Sequence, residues 1–385
     1  MAIKTVVENI AEVPMEGWLR AAAAFLLCVL IIRLLIPPAL RTGLVDRPGG
    51  RKDHACPIPV VGGLGIALAL ALSALMAREV VGFPAMIFLA SAFLLVLIGL
   101  LDDLYDLRWY WRIGAQAAAA LAMVFLAGIE AQNMQDILGL KGVSLGAFAI
   151  PFTVFVVVGV INAVNMADGV DGLAGTLVLV SLGQFVCFAL YAGDVEHAQR
   201  MLLVLGAVAG FLFWNLRLPW QPRARVFLGN GGSMLLGFAI AWVAVRGSHN
   251  PVHPVSPVLG PWTIALPLID CVTLMFRRVM RGRSPFSADR HHMHHLLLDA
   301  GFRPGQVVAL LGGLSLLLGA AAAFAIRLDV HRPLLVLVFL ALLAGWYWFS
   351  RDFDRAVARL ARLRRGPALA SATAAGEGGQ GGAGA

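Results

Sequence analysis

Apolar runs long enough to cross a lipid bilayer recur from one end of the chain to the other. A hydrocarbon core about 30 Å thick needs roughly 20 apolar helical residues. About eleven stretches come near that length: 18–40, 60–76, 83–101, 113–129, 146–161, 173–191, 201–216, 232–245, 258–276, 305–326 and 334–350. In lipid, every backbone N–H and C=O must find a partner inside the protein, and runs of this length do so as helices. The second, fifth and eighth runs are short and rich in glycine. The expectation is therefore an all-α, polytopic membrane protein with ten or eleven transmembrane helices. With 59% hydrophobic and 14% charged residues in 385, no large water-soluble module fits. Cys28, Cys56, Cys187 and Cys271 are scattered without CxxC spacing, which argues against a disulfide framework or a zinc site. The N-terminus lacks the charged region and cleavage site of a signal peptide, so the first span is expected to stay.

With eleven spans, the connecting segments alternate between two sides. Of the 30 Lys and Arg, 21 fall on the side holding 41–56, 102–112, 162–171, 217–228, 277–303 and the tail. Eight fall on the other side and Arg33 lies inside the first span. Lys and Arg accumulate on the cytoplasmic side, which puts the N-terminus in the periplasm and the C-terminus in the cytoplasm. Residues 1–350 read as a single integral-membrane domain with cytoplasmic loops at 41–59, 102–112, 162–172, 217–231 and 277–304. Residues 351–365 read as a basic cytoplasmic segment and 366–385 as a disordered tail. The net charge of +8 is spent on this asymmetry rather than on nucleic acid.

The polar constellations all lie on that cytoplasmic side. Asp46–His54, followed by Pro57–Gly63, mixes basic residues with glycines. It suits a phosphate or, equally, anionic lipid head groups. Asp102, Asp103 and Asp106 crowd three carboxylates at a span end, where a hard divalent cation or Arg108 and Arg112 would offset them. On a continuous helix, Asp102 and Asp103 would each share a face with Asp106. Asn162, Asn165, Asp168 and Asp171 recur every third position, so on a regular helix the stripe drifts about 60° per step. Gly169 and Gly172 suggest that the helix breaks there. The run Gly229-Asn230-Gly231-Gly232 opens a span; it suits an anion site at a helix N-terminus or close packing between helices. Arg277 to His295 holds Arg278, Arg281, Arg283, Arg290, His291, His292, His294 and His295. That composition favours a polyanion over zinc. A cation-coupled transporter would hold its ionisable groups near the bilayer midplane, whereas here they stand at span ends. No internal repeat is visible, and a scaffold protein would not need the Arg–His loop.

Together and in this order, Arg-Lys-x-His (51–54), Pro-x-Pro-x-x-Gly-Gly (57–63), Asp-Asp-x-x-Asp (102–106), Asn-x-x-Asn-x-x-Asp-Gly-x-Asp-Gly-Leu (162–173) and the Arg–His run (277–295) resemble the polyprenyl-phosphate N-acetylhexosamine-1-phosphate transferases. The likeness runs from about Asp46 to Phe302 and is greatest to the bacterial N-acetylglucosamine branch. It implies an enzyme of the bacterial inner membrane with a Mg²⁺-dependent site at the cytoplasmic face, Mn²⁺ being an alternative. A UDP-N-acetylhexosamine, N-acetylglucosamine foremost, would give its sugar-1-phosphate to undecaprenyl phosphate and release UMP. This would start O-antigen, common antigen or wall polymer synthesis. The implied partners are donor, acceptor and bilayer, with a homodimer allowed. The alternative donors carry N-acetylfucosamine, N-acetylquinovosamine, N-acetylgalactosamine or N-acetylmuramoyl-pentapeptide.

Carried over residue by residue, the resemblance makes Asp102, Asp103 and Asp168 catalytic, and Asp102, Asp103 and Asn230 the metal group. Asn165 would hold the same region, Asp171 and Phe227 would contact uracil, and Asn215 would be a further nucleotide contact. Arg278, His292, His294 and His295 would meet the pyrophosphate and sugar, and Lys52 and His54 would line the groove. One position departs: Asn230 stands where the family carries an aspartate, which removes one negative charge from the metal group.

Overall fold

The computed structural model describes residues 10–46, 57–76, 82–134, 137, 143–250, 252, 255–285, 287 and 289–365. Lys52, His54 and the tail 366–385 lie outside the described residues. Each of the eleven apolar runs contains a helix. In chain order these are α1 (Met15–Thr42), α2 (Gly62–Met76), α3 (Phe83–Tyr105), α4 (Trp109–Phe125), α5 (Ala149–Ala167), α6 (Leu173–Ala192), α7 (Val195–Asn215) and α8 (Gly229–Ser248). Then come α9 (Leu259–Thr263), α10 (Ala265–Met280), α11 (Met293–Asp299), α12 (Pro304–Arg327), α13 (Arg332–Ser350) and α14 (Phe353–Arg365). A two-stranded antiparallel ribbon pairs β1 (Val45–Asp46) with β2 (Ile58–Pro59). Among the described residues, eight helices are long and apolar enough to cross a bilayer by themselves. At 15, 17 and 16 residues, α2, α4 and α10 are shorter; a count of ten or eleven spans depends on them.

The arrangement follows from which helices can be enclosed. Helix α8 is apolar on every side, the pattern of a helix with no solvent or lipid face, and nearly all of it is buried. It packs against α2, α3, α5 and α6. Helices α1 and α13 keep most of their surface outward, as lipid-facing helices do. The peripheral α1 is held to α7 by small residues. A side chain added at Gly206 would come within 2.2 Å of the Ala21 carbonyl oxygen, and one at Gly210 within 2.6 Å of the Phe25 carbonyl oxygen. Glycine four residues apart lets the two backbones meet, the usual way helices bind where lipid removes the hydrophobic drive.

The run at 258–276, expected to be one span, is broken between α9 and α10 at Thr263–Ile264. Pro267 is the reason. It has no N–H to give the Thr263 carbonyl four residues earlier. That buried carbonyl instead accepts from Ser181 Oγ (2.7 Å) and Ser315 Oγ (3.1 Å), so the break also joins α6, α9 and α12. Left unpaired, a buried carbonyl costs roughly 1–3 kcal/mol.

The glycine contact can be tested. Gly206→Leu is expected to destroy the α1–α7 seam and lower the yield of monodisperse detergent-solubilised protein several-fold. Gly313→Leu adds the same bulk to open space on α12 and is expected to behave as wild type by size-exclusion chromatography and thermal melting.

Candidate active site

Glycines place the first group of polar residues. A side chain at Gly99 of α3 would lie 2.0 Å from the Gly231 backbone nitrogen, and one at Gly63 of α2 would lie 2.3 Å from the Gly232 Cα. The glycine-rich start of α8 is therefore a seam on which two helices rest, not an open anion cradle. Gly229 has φ of 76° and sits against Asp103 Oδ2, where only glycine combines the conformation with the space. The close approach puts Asn230 on the carboxylate pair. Its Nδ2 donates to Asp102 Oδ2 and to Asp103 Oδ1, both at 2.8 Å, and its backbone N–H donates to Asp103 Oδ2 at 3.1 Å. Its amide oxygen, expected to face a metal, accepts from Asn165 Nδ2 at 3.1 Å. Arg112 Nη1 donates to Asp102 Oδ2 at 3.1 Å. Asp106 falls outside the expected face, because it ends α3 in the left-handed region at φ 52°.

The polar stripe 162–172, expected as a loop, is helical as far as Ala167. Asn162 turns to Gln116 (2.7 Å) and Asn165 to Ser233 (2.7 Å), so the stripe does drift from α4 towards α8. Asp168 closes the helix and keeps part of its surface exposed. Neighbouring protein atoms still desolvate its carboxyl, and Asp103 and then Asp171 add repulsion. Its pKa is pushed up to about 7. Asp171 Oδ2 accepts from Arg217 Nε (2.8 Å) and the Ala224 N–H (3.0 Å). Asn215 is buried, accepting from the Gly172 N–H at 2.8 Å and donating to the Val226 carbonyl at 2.9 Å. Both side chains tie the stripe to segment 217–228. Phe227, half-buried, donates its N–H to the Pro59 carbonyl (2.9 Å), and its own carbonyl accepts from Gly62 (3.0 Å).

The histidines arrive from the other direction. Asp270 of α10, which the sequence did not single out, accepts from the Met293 N–H at 2.9 Å and lies 2.9 Å from His292 Nδ1. It thus caps α11 and orients His292. A lone aspartate in an apolar run, Leu268-Ile269-Asp270-Cys271, was the signal available. His294 is buried 4.4 Å from the His295 ring and touches Gly169, where a Cβ would meet its Nε2 at 2.1 Å. Burial, then His295 and His292, hold the His294 pKa well below the ordinary value. Burial, His292 and Arg290 lower that of His295. Both are neutral at neutral pH, hydrogen-bonding groups rather than the cations expected. Arg278 is also committed, donating to Asp289 Oδ2 (2.8 Å) and the Pro285 carbonyl (2.7 Å), so it shapes its own loop.

Among the described residues, no three His, Cys, Asp or Glu converge as a metal cage. A Mg²⁺ ion usually takes only one or two carboxylates, with phosphates and water completing its shell. Asp102 and Asp103 fit that need, since one oxygen of each points at the same amide nitrogen. Asn230 could add its oxygen only by turning its amide over.

Because Asp168 has a raised pKa, the folded protein keeps a proton that the unfolded chain releases between about pH 4 and pH 7. Stability is therefore lost as pH rises through that window. Solvent screening at an exposed residue keeps the effect small, so Asp168→Asn is expected to raise the melting temperature slightly at pH 8 in chelator and not at pH 5. An equal shift at both pH values in a detergent thermal melt would contradict this account.

Residues 85–248 match glycosyl transferase family 4. The chain is 38% identical over 287 residues to the undecaprenyl-phosphate alpha-N-acetylglucosaminyl 1-phosphate transferase of Haemophilus influenzae, covering 74% of this chain and 81% of that protein. It is 34% identical to the protein of that name from Yersinia pestis, over 81% of this chain and 86% of the relative. Against the one from Escherichia coli K12 it is again 34% identical, over 89% and 95%. The matched stretch contains Asp102, Asp103, Asp168 and the α8 seam, so the carboxylate end of the bundle and the likeness coincide: the chain belongs to glycosyl transferase family 4.

Proposed function

We propose that the protein transfers N-acetylglucosamine-1-phosphate from UDP-N-acetylglucosamine to undecaprenyl phosphate, giving undecaprenyl-pyrophosphoryl-N-acetylglucosamine and UMP. The observation that carries this reading is the convergence of Asp102, Asp103, Asp168 and neutral His294 at one end of an apolar bundle, together with the names of the relatives. A lipid phosphate cannot leave the head-group level, so a site at the helix ends is where it can be met. The excess of Lys and Arg on that side, 21 against eight, supports a cytoplasmic site in the bacterial inner membrane.

In the reaction, an oxygen of the lipid phosphate attacks the sugar-bearing phosphorus of the donor. The bond from that phosphorus to the bridging oxygen breaks, and UMP leaves with the electron pair. The acceptor's second pKa is near 6. Asp168, with its pKa about 7, is poised to take the remaining proton from the monoanion. His294 can donate a hydrogen bond to an oxygen that gains charge, without the ion's desolvation cost. When bound at Asp102 and Asp103, Mg²⁺ supplies positive charge that offsets repulsion between the two phosphate chains. Asn165 and Asp270 keep Asn230 and His292 in place.

A radiolabel transfer assay with purified protein, undecaprenyl phosphate, Mg²⁺ and a panel of UDP-amino sugars tests the proposal. Label from UDP-N-acetylglucosamine with release of UMP is expected. Label from a deoxy sugar alone would reassign the donor, and none from any donor would refute the reading. Asp103→Asn is expected to lower the rate by on the order of 10²–10³. One phosphoanhydride is exchanged for another, so excess UMP should regenerate UDP-sugar from labelled lipid; product that never reverts would count against direct exchange.

A further inference from the structure

A cavity lies at the end of the bundle opposite the carboxylates. It has room for about 220 Å³ and is walled by the start of α3, the start of α7 and the end of α8. Phe88 and Asp102 lie on the same helix, 14 residues apart, which is about 21 Å along its axis, so this space is separate from the carboxylate site. Its wall is largely apolar, with Phe88 and Trp242 meeting edge to face at 5.4 Å. Three basic side chains interrupt it: His197, Arg200 and Arg246. His197 is 8% exposed and its Nε2 is buried with no partner. Arg200 pairs with exposed Glu196 through one terminal nitrogen, but its Nε is likewise buried without a partner. Arg246 makes no hydrogen bond or ion pair among the described residues, and no described carboxylate lines the cavity. Buried polar nitrogens left unpaired cost stability, and an apolar chamber beside two arginines suits a molecule with an apolar chain and an anionic head.

We propose that this cavity binds an anionic glycerophospholipid of the leaflet away from the carboxylate site, with one acyl chain against Phe88 and Trp242 and its phosphate at Arg200, Arg246 and His197. A zwitterionic lipid would bring its own cation to the arginines, and a free anion would leave the apolar volume unfilled.

Trp242 reports the occupant directly. The full-length protein in phosphatidylcholine nanodiscs is titrated with phosphatidylglycerol brominated on its acyl chains, and fluorescence is compared with Trp242→Phe to isolate the Trp242 signal. Saturable quenching at low mole fraction is expected. It should weaken at least about tenfold in apparent affinity in Arg200→Gln/Arg246→Gln. Ala85→Phe, which narrows the chamber with the arginines intact and adds no second tryptophan, should abolish it. Thermal melting checks that each variant is folded, and Ala85→Phe carries the test if the double variant is not. Equal quenching by brominated phosphatidylcholine, quenching that survives in the folded variants, or displacement by inorganic phosphate alone would each overturn the proposal.

Discussion

Two helices touch backbone to backbone where Gly99 meets Gly231, and the carboxylate site depends on that contact. With any side chain there, α3 and α8 would stand apart and Asn230 could not reach Asp102 and Asp103 together. The amide nitrogen between the two carboxylates offsets part of their mutual repulsion. Asn165 fixes the amide from behind and is itself held by Ser233 Oγ, which ties α5 to the same point.

Much of this was legible in the residues. Every apolar run but 258–276 holds one α-helix, and Asp102, Asp103 and Asp168 stand at helix ends, where a charge costs less than at mid-bilayer. The broken span was also readable, in the spacing between Pro267 and Thr263, but hydropathy averages across such a break. What could not be read was orientation within a side chain. The fold brings Asn230 to the carboxylates, yet which end of its amide faces them depends on Asn165, 65 residues away. Arg278 and the histidines looked like free cations in a basic loop. Only the fold reveals that Asp289 holds the arginine and that burial keeps His294 neutral. Asp270 was passed over because one aspartate in an apolar run carries no motif.

Neutral histidines and a carboxylate of raised pKa describe a site kept low in charge of either sign until its ligands enter. Two polyanions meeting there would find hydrogen-bonding groups fixed in advance, which act without reorganising as charge shifts. Asp171, through Arg217 and the Ala224 N–H, and Asn215, through backbone at both ends, serve this end indirectly by holding segment 217–228 against the stripe at 168–172.

The seam at Gly63, Gly99, Gly231 and Gly232 has one more consequence. A contact made of backbone offers no side chain for mutation to resize, so the spacing between α3 and α8 is tied to glycine on both sides. Any change in what the carboxylates hold has to come from side chains that stand clear of this seam.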